Sequence, residues 1–299
     1  MQVQATTLLS ESWTLIRQSV NGWIADRAPR KGAALAFYTV FSLAPILVIA
    51  IAVAGFFFGE EAARGEIVDQ SRGLIGAEGA HAVEQLIQNA ARPRAGLVST
   101  LLGIGTLLVG ATTALAELKD GLDQIWRAPP ERTQGWSYMV RTRLLALGLV
   151  LSFGFLLLVS LIVNAGLTAL TRYWGGELLG IKVLYAVNFI VSFLFTTVIF
   201  AAIYKMLPAM RIAWQDVWIG AAVTALLFNV GKALIGIYLG NSAITSAYGA
   251  AGSVVLILIW VYYSAQIFLL GAEFTRFYTY RYGSHRRDPE AAAVLAGSR

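Results

Sequence analysis

The chain has 299 residues, of which 57% are hydrophobic and only 13% are charged. Soluble domains carry about 25% charged residues, so this composition excludes a protein whose whole surface meets water and favours one covered largely by lipid. The net charge of +6 is attributed to basic cytoplasmic loops rather than to nucleic-acid binding, and the lack of cysteine excludes disulfides and thiolate metal sites.

Residues 1–28 are predicted to form an amphipathic helix at the cytoplasmic interface. An apolar residue recurs there at spacings of four and three: Leu9, Trp13, Ile16, Val20 and Trp23. This spacing puts all five on one face of an α-helix. A helix with a single apolar face lies in the membrane interface rather than across it, so we expect this helix to rest on the cytoplasmic leaflet.

Residues 29–282 are predicted to form an all-α membrane domain with six transmembrane helices. Crossing the hydrocarbon core takes about 20 apolar residues, and six segments meet that length: about 32–58, 95–117, 144–169, 181–206, 214–239 and 247–273. Turn signals at residues 240–242 and 248–249 separate the last two. The segment 60–94 is expected to form a short helical external cap of two helices, and residues 283–299 a disordered cytoplasmic tail.

The distribution of basic residues predicts the orientation. With both termini in the cytoplasm, 16 of the 23 Lys and Arg residues fall in cytoplasmic segments and 6 in external ones. Cytoplasmic loops are enriched in Lys and Arg. The sequence therefore predicts a multi-pass protein of the bacterial cytoplasmic membrane with both ends inside.

Lys232 is a charge inside the predicted fifth span, where an ionisable residue by default marks a functional site. Several polar residues are predicted to reach a similar depth in the outer half of the membrane: Asn229, Tyr238, Asn164, Asn188 and Ser192. If they converge, they line an outward-facing cavity with one fixed positive charge, which suits an anionic lipid headgroup or a small anion. The alternative is a Lys232 side chain that reaches along its helix to the outer interface.

A second polar group is predicted at the inner side, formed by Glu117, Gln266 and Glu273. It is either an acidic inner gate or proton acceptor, or a set of ordinary interface residues paired with Lys119, Arg211 or Arg276. Pro45 lies inside the first span and removes one backbone hydrogen bond. The resulting kink is either architectural or a hinge for alternating access.

Enzyme chemistry finds little support in the residues, since a membrane-bound hydrolase, the third hypothesis, would need a cluster of carboxylates that the sequence does not show. The two histidines, His81 and His285, lie in an external segment and in the tail. The sequence has no cluster with metal-ligand spacing, no phosphate-binding loop and no nucleophile elbow. We therefore expect neither an enzyme nor a metal or cofactor.

Three short motifs carry a family resemblance. They are the run from Lys31 to Pro45, the run from Ala247 to Gly252, and the pair formed by residues 260–263 and 270–273. Together they resemble the YihY/virulence factor BrkB family. The resemblance implies a bacterial inner-membrane protein with six spans and no settled activity. Members have been called ribonuclease BN, and others are linked to serum resistance or to envelope lipid export.

The leading hypothesis is a transporter or exporter of an anionic lipid or a small anionic metabolite, with Lys232 holding the anion. The alternative is an envelope scaffold that translocates nothing. Membrane lipids are the expected partners and nucleic acid is not one. The sequence gives no indication of the oligomeric state.

Overall fold

The computed structural model describes residues 2–90, 113–129, 140, 178–241, 252–289 and 291–296. Within these ranges the regular structure is helical and no strand occurs. Residues 113–125 are helical. Seven further helices are α1 (Gln2–Ala25), α2 (Ala28–Phe58), α3 (Glu60–Ala90), α4 (Leu178–Met206), α5 (Trp214–Asn241), α6 (Gly252–Arg281) and α7 (Ala291–Ala296).

Four of the six predicted spans fall on described helices. The first, fourth and fifth lie inside α2, α4 and α5, and the sixth lies mostly inside α6, which continues past Glu273 to Arg281. Within the described residues, Val254–Arg281 is the one helix long and apolar enough to cross a membrane, and Phe193–Met206 is a shorter apolar helix. The third span and most of the second lie outside the described residues. The all-α class is confirmed, while the six-span count and the orientation stay predictions.

Helix α6 is the centre of the described bundle, because α1, α2, α3, α5 and α7 all pack against it. Glycines let α5 and α6 approach closely. Gly231 lies against the Tyr263 hydroxyl and Gly271 against the Thr224 hydroxyl. The buried Tyr204 of α4 donates a 2.7 Å hydrogen bond to the Phe268 carbonyl. Small residues at helix contacts are the usual means of close packing in membranes.

Helix α3 differs from the prediction of two short external helices, since it is continuous over 31 residues. A tight turn at Gly59, with φ of 88°, reverses the chain so that α3 lies along α2. One face of α3 buries Ala63, Ile67, Val83 and Ile87 in a core shared with α2 and α6. Each glycine inside a helix costs about 1 kcal/mol relative to alanine, and this burial outweighs that cost.

Helix α1 has two faces with different surroundings. Trp13, Ile16 and Ile24 are 67%, 49% and 60% exposed. On the opposite side Leu15 and Ser19 are buried, where α1 packs along α6. The predicted apolar face therefore includes a stripe that the bundle leaves uncovered. The location of that stripe in the cytoplasmic leaflet stays a prediction.

The C-terminal tail was expected to be disordered, but its described residues are folded. Asp216, in the first turn of α5, accepts hydrogen bonds from the Ser284 amide and hydroxyl at 2.8 and 2.7 Å. Helix α7 follows, and its Leu295 carbonyl accepts a 3.3 Å hydrogen bond from the Gln18 amide of α1. Alanine-rich composition suggested disorder, and these specific polar contacts with α1 and α5 explain the difference.

Candidate functional site

A buried ionic cluster joins α6 to the connection between α1 and α2. Arg276 Nη1 lies 3.3 Å from Glu273 Oε2 and 3.5 Å from Asp26 Oδ2. The exposed fractions of the three side chains are 4%, 0% and 12%. Arg127, which is largely exposed, approaches the other Asp26 oxygen at 3.6 Å. Charges this deeply buried are found paired, because an unpaired charge in a low-dielectric interior is costly.

Two glycines allow α1 and α2 to reach this part of α6. A Cβ at Gly22 would lie 2.8 Å from Glu273 Oε2, and a Cβ at Gly32 would overlap the Gln266 amide. Gln266 and Glu273 are seven residues apart, which is about two turns of helix. They therefore share the α6 face that the α1–α2 connection covers. The sequence grouped these two residues, and the structure places them on one surface.

Several buried polar atoms around this face find no hydrogen-bond partner among the described residues. They are Lys31 Nζ, Trp23 Nε1, both atoms of the Gln266 amide and Glu273 Oε1. Buried polar groups in native proteins are nearly always hydrogen-bonded. An accumulation of unsatisfied donors and acceptors at one junction is therefore a reason to look for function there.

The third residue of the predicted inner gate, Glu117, lies on the helical segment 113–125 and is partly buried. Among the described contacts it lies in electrostatic range of Asp120, and none joins it to Gln266 or Glu273. The structure therefore brings two of the three gate residues to one helix face. The gate itself stays a prediction.

A second buried ion pair ties the segment 113–129 to the α4–α5 connection. Lys119 Nζ lies 2.7 Å from Asp123 Oδ2, and the Ala209 amide donates a 2.6 Å hydrogen bond to Asp123 Oδ1. The sequence analysis considered Lys119, Arg211 and Arg276 as partners of the predicted gate acids, and the structure pairs Arg276 with Glu273. Lys119 pairs with Asp123, an acid that the sequence did not single out.

Lys232 lies on the inward side of α5. Successive residues of a helix are about 100° apart, which puts Lys232 near the buried Ala221, Ala225 and Ile235. The exposed apolar residues Leu226, Val230 and Leu234 form the opposite side. Lys232 itself is partly buried. A lysine that served only to reach lipid headgroups would more naturally lie on the exposed side.

Asn229, one turn before Lys232, has part of its hydrogen-bonding capacity in use. Its Nδ2 donates a 2.8 Å bond to the Ala225 carbonyl of its own helix. A primary amide has two N–H donors and one oxygen acceptor. Within the described part of the chain, the second donor and the oxygen are not seen in a hydrogen bond.

The remaining predicted site residues are only partly covered by the structure. Asn164 lies outside the described residues. Asn188 and Ser192 belong to α4 and Tyr238 to α5, but their side chains lie outside the described part. Whether they converge on Lys232 stays a prediction.

Helix α2 continues through Pro45, so the proline does not end the helix. One turn earlier the Ser42 hydroxyl donates a 2.6 Å hydrogen bond to the Tyr38 carbonyl. A serine bonded back to its own helix often bends it. Both the bend at Pro45 and its use as a hinge stay predictions.

Sequence reasoning missed Asp26, a member of the buried ionic cluster, and Lys31, which lies in electrostatic range of Asp26 and Glu273. Lys31 was counted only among the basic residues that set the orientation and as the start of a family motif, and Asp26 was not singled out at all. The signal that could have found them is the pair Glu273 and Arg276, which are three residues apart and so share one face of α6. When another element covers the end of an apolar helix, charged side chains there are expected to find partners on that element. Here the partner of Arg276 on the covering element is Asp26.

No group of three potential metal ligands occurs in the described part of the chain. The described helices instead combine uncovered apolar surface, such as Phe41, Phe56 and Leu234, with ionisable side chains gathered between helices. That combination is typical of an α-helical membrane protein.

The chain belongs to the virulence factor BrkB family, whose sequence profile matches residues 20–296. It is similar to a UPF0761 membrane protein of Aeromonas salmonicida, at 30% identity over 59% of this chain and 59% of the relative. A UPF0761 membrane protein of Alkalilimnicola ehrlichii is 28% identical over 84% of this chain and 55% of the relative. One of Neisseria meningitidis serogroup C is 26% identical over 91% of this chain and 64% of the relative.

The chain therefore spans between half and two thirds of the length of these relatives. No solved structure matches. The relatives' names place them in membranes and mention no enzymatic activity, so a membrane location is the part of the functional prediction that the comparisons support.

Proposed function

We propose that the protein is a transporter or exporter of an anionic lipid or a small anionic metabolite in the bacterial cytoplasmic membrane. The observation that carries the proposal is the position of Lys232 on the inward side of α5. Placing an ammonium group within a membrane helix costs several kcal/mol, about 2.5–3.5 kcal/mol on insertion scales. A charge at that cost on an inward face has a use inside the bundle.

In this proposal Lys232 holds the anion and neighbouring polar groups donate hydrogen bonds to it. Asn164, Asn188, Ser192 and Tyr238 supply donors from the facing helices. Asn229 supplies its second N–H, because the first is already bonded to the Ala225 carbonyl. A single positive charge among neutral donors favours anions over cations without holding them too tightly for release.

In the proposal, Gln266, Glu273 and Glu117 close the inner side of the pathway, and Pro45 lets α2 bend during alternating access. Support for a closed inner side comes from the depth of Glu273, whose side chain has 0% exposure. Support for bending comes from the Ser42 back-bond one turn before the proline.

The alternative function is a non-transporting envelope scaffold. The exposed apolar stripe of α1, with Trp13 67% and Ile24 60% exposed, favours it, because such a surface fits a lipid or protein partner. In that case the buried ion pairs only hold the helices together. The two functions differ in one property, which is whether an anion crosses the bilayer.

Vesicle assays separate the two functions. The full chain is reconstituted into phosphatidylethanolamine vesicles that carry either a fluorescent phosphatidylglycerol or a trapped, radiolabelled dicarboxylate. The proposal expects one of these two anionic probes to exchange or leave at least tenfold faster than in protein-free vesicles. A neutral lipid probe and trapped labelled sucrose serve as controls. Rates equal to protein-free vesicles for both anionic probes would favour the scaffold.

A further inference from the structure

Asp26 and Glu273 form a carboxyl pair buried between three elements. Asp26 comes from the α1–α2 connection and Glu273 from α6, and both contact Nη1 of Arg276. The two carboxyl groups therefore share one guanidinium nitrogen and lie close enough to interact electrostatically. Two ionised carboxylates have no hydrogen to share and repel each other. One proton held by the pair removes this repulsion.

The charged side chains that the structure describes around the pair do not remove the need for that proton. Arg276 is shared by both acids, and Arg127 is 65% exposed, so solvent screens it. Lys31 at the start of α2 lies in electrostatic range of both acids, but its Nζ makes no hydrogen bond to the described residues. Glu273 Oε1 likewise has no described partner. The neighbouring Gln266 and Trp23 are neutral.

The pair is also mechanically connected to α1 and α2. Gly22 of α1 rests on Glu273, so a Cβ there would lie 2.8 Å from Oε2. Arg27, next to Asp26, adopts a left-handed backbone with φ of 53°, which is uncommon for a residue with a side chain. A change of charge on Glu273 acts directly on this sharp connection.

We propose that the Asp26–Glu273 pair binds one exchangeable proton, and that release of this proton draws Lys31 and the start of α2 toward α6. On release the O–H bond breaks, its electron pair stays on the carboxylate oxygen, and the proton passes to water. The new carboxylate then attracts the Lys31 ammonium. The pair thereby supplies a proton-binding site for the transport proposed above. Its role in coupling rests on that proposed function, whereas the proton site itself does not.

Infrared spectroscopy of the purified full chain in lipid nanodiscs tests for the proton. A pH titration is expected to remove a protonated-carboxyl band equivalent to one group per chain. Glu273→Gln is expected to abolish that band, whereas Glu61→Gln, which changes an exposed acid of α3, is expected to keep it. If the band is absent from the unmodified protein or persists in Glu273→Gln, the site does not exist. Should Glu273→Gln fail to fold, Asp26→Asn replaces it, with the same loss expected.

The movement is tested with a fluorophore on a single introduced cysteine, since the chain has none of its own. A label on Ile24→Cys, at the exposed side of α1, is expected to change its emission over the same pH range as the infrared band. A label on Glu61→Cys is expected to stay constant. An unchanged response of the Ile24→Cys label after Glu273→Gln would overturn the coupling between the proton and the α1–α2 connection.

These readouts need no transported substrate, so they separate the two proposals. An infrared titration together with absent vesicle transport would contradict the transporter and leave the proton site in place. Transport that is unaffected by Glu273→Gln at every pH, with no infrared titration, would contradict the proton site and leave the transporter in place.

Discussion

Arg276 lies near the end of α6, and its guanidinium reaches Asp26, 250 residues earlier in the chain, at 3.5 Å. The same nitrogen contacts Glu273 one turn away. This contact ties the last long helix to the connection between the first two. Its position suits a link that both holds the fold and responds to the charge of the two acids.

Arg276→Met is expected to destabilise the protein strongly. It leaves Glu273 and Asp26 buried without their common partner, and breaking a buried pair in this way costs about 3–5 kcal/mol. Thermal unfolding of the protein in detergent measures the loss. The matched control is Arg72→Met, which removes an exposed arginine paired with Asp69 and should change stability by about 0.5 kcal/mol or less.

Adding Glu273→Gln to Arg276→Met is expected to recover part of the lost stability, because it removes one of the uncompensated charges. Additive losses in the double variant would show that the two side chains do not act as a pair.

Gly32→Ala is expected to weaken the packing of α2 on α6, since the new methyl group would overlap the Gln266 amide. Overpacking typically costs about 1–3 kcal/mol, and a loss near the lower end is expected here because the overlapped atoms are the far end of the flexible Gln266 side chain. Gly65→Ala in α3 is the matched control, because a Cβ there meets nothing within 4 Å. That variant should instead stabilise the helix by about 0.5–1 kcal/mol. Equal effects of the two variants would contradict the described packing.

The C-terminal tail is expected to detach as the pH rises. His285 faces two acceptors, the Asp288 carboxylate and the Arg211 carbonyl, so both ring nitrogens must carry hydrogen to satisfy them. Burial lowers the pKa of His285, but these hydrogen bonds and the charges of Asp288 and Asp216 outweigh it, and the pKa is raised above 6.5.

Because the folded-state pKa is the higher one, the stabilisation is fully present below pH 6.5 and is lost as the pH rises through the raised value. Protease cleavage after Arg286 or Arg287 should therefore accelerate over that range. In His285→Gln the pH dependence should disappear. Cleavage that accelerates equally in both proteins would locate the titration elsewhere.

The exposed stripe of α1 is expected to contact lipid. A fluorophore on Ile16→Cys should be quenched by bromine-labelled lipid tails more strongly than by aqueous iodide. The same fluorophore on Arg17→Cys, the exposed neighbouring residue on the polar flank, should show the reverse. Stronger iodide quenching at position 16 would mean that this stripe faces water or another partner.

The all-α class could be predicted from the sequence, because apolar length and turn residues are local properties, whereas the number of membrane spans stays a prediction. The ends of α5 at Trp214 and Asn241 agree with the predicted span to within two residues. Helix α3 was less predictable. Its glycines suggest an interruption, whereas its continuity depends on burial against two other helices. Helix α2 lies across the turn at Gly59, and α6 is distant in sequence.

The surroundings of the buried ionic cluster could also be predicted only in part, because they depend on contacts between residues distant in sequence. Gln266 and Glu273 share a helix face, and simple periodicity shows it. The partnership of Arg276 with Asp26 depends on how α1 and α2 fold back on α6, and no local pattern encodes that. The folded tail depends likewise on Asp216 and Ser284, which are 68 residues apart.

The most direct test of the proposed function is the transport rate of the anionic probe by Lys232→Met, compared with Lys232→Arg and with Arg72→Met in the same vesicles. We predict that the Lys232→Met protein transports the anion at least tenfold more slowly than the unmodified protein, while its folded yield stays normal. Lys232→Arg should keep much of the rate because it keeps the charge, and Arg72→Met should keep all of it. A Lys232→Met protein that transports the anion at the unmodified rate would contradict the assignment of Lys232 as the residue that holds it.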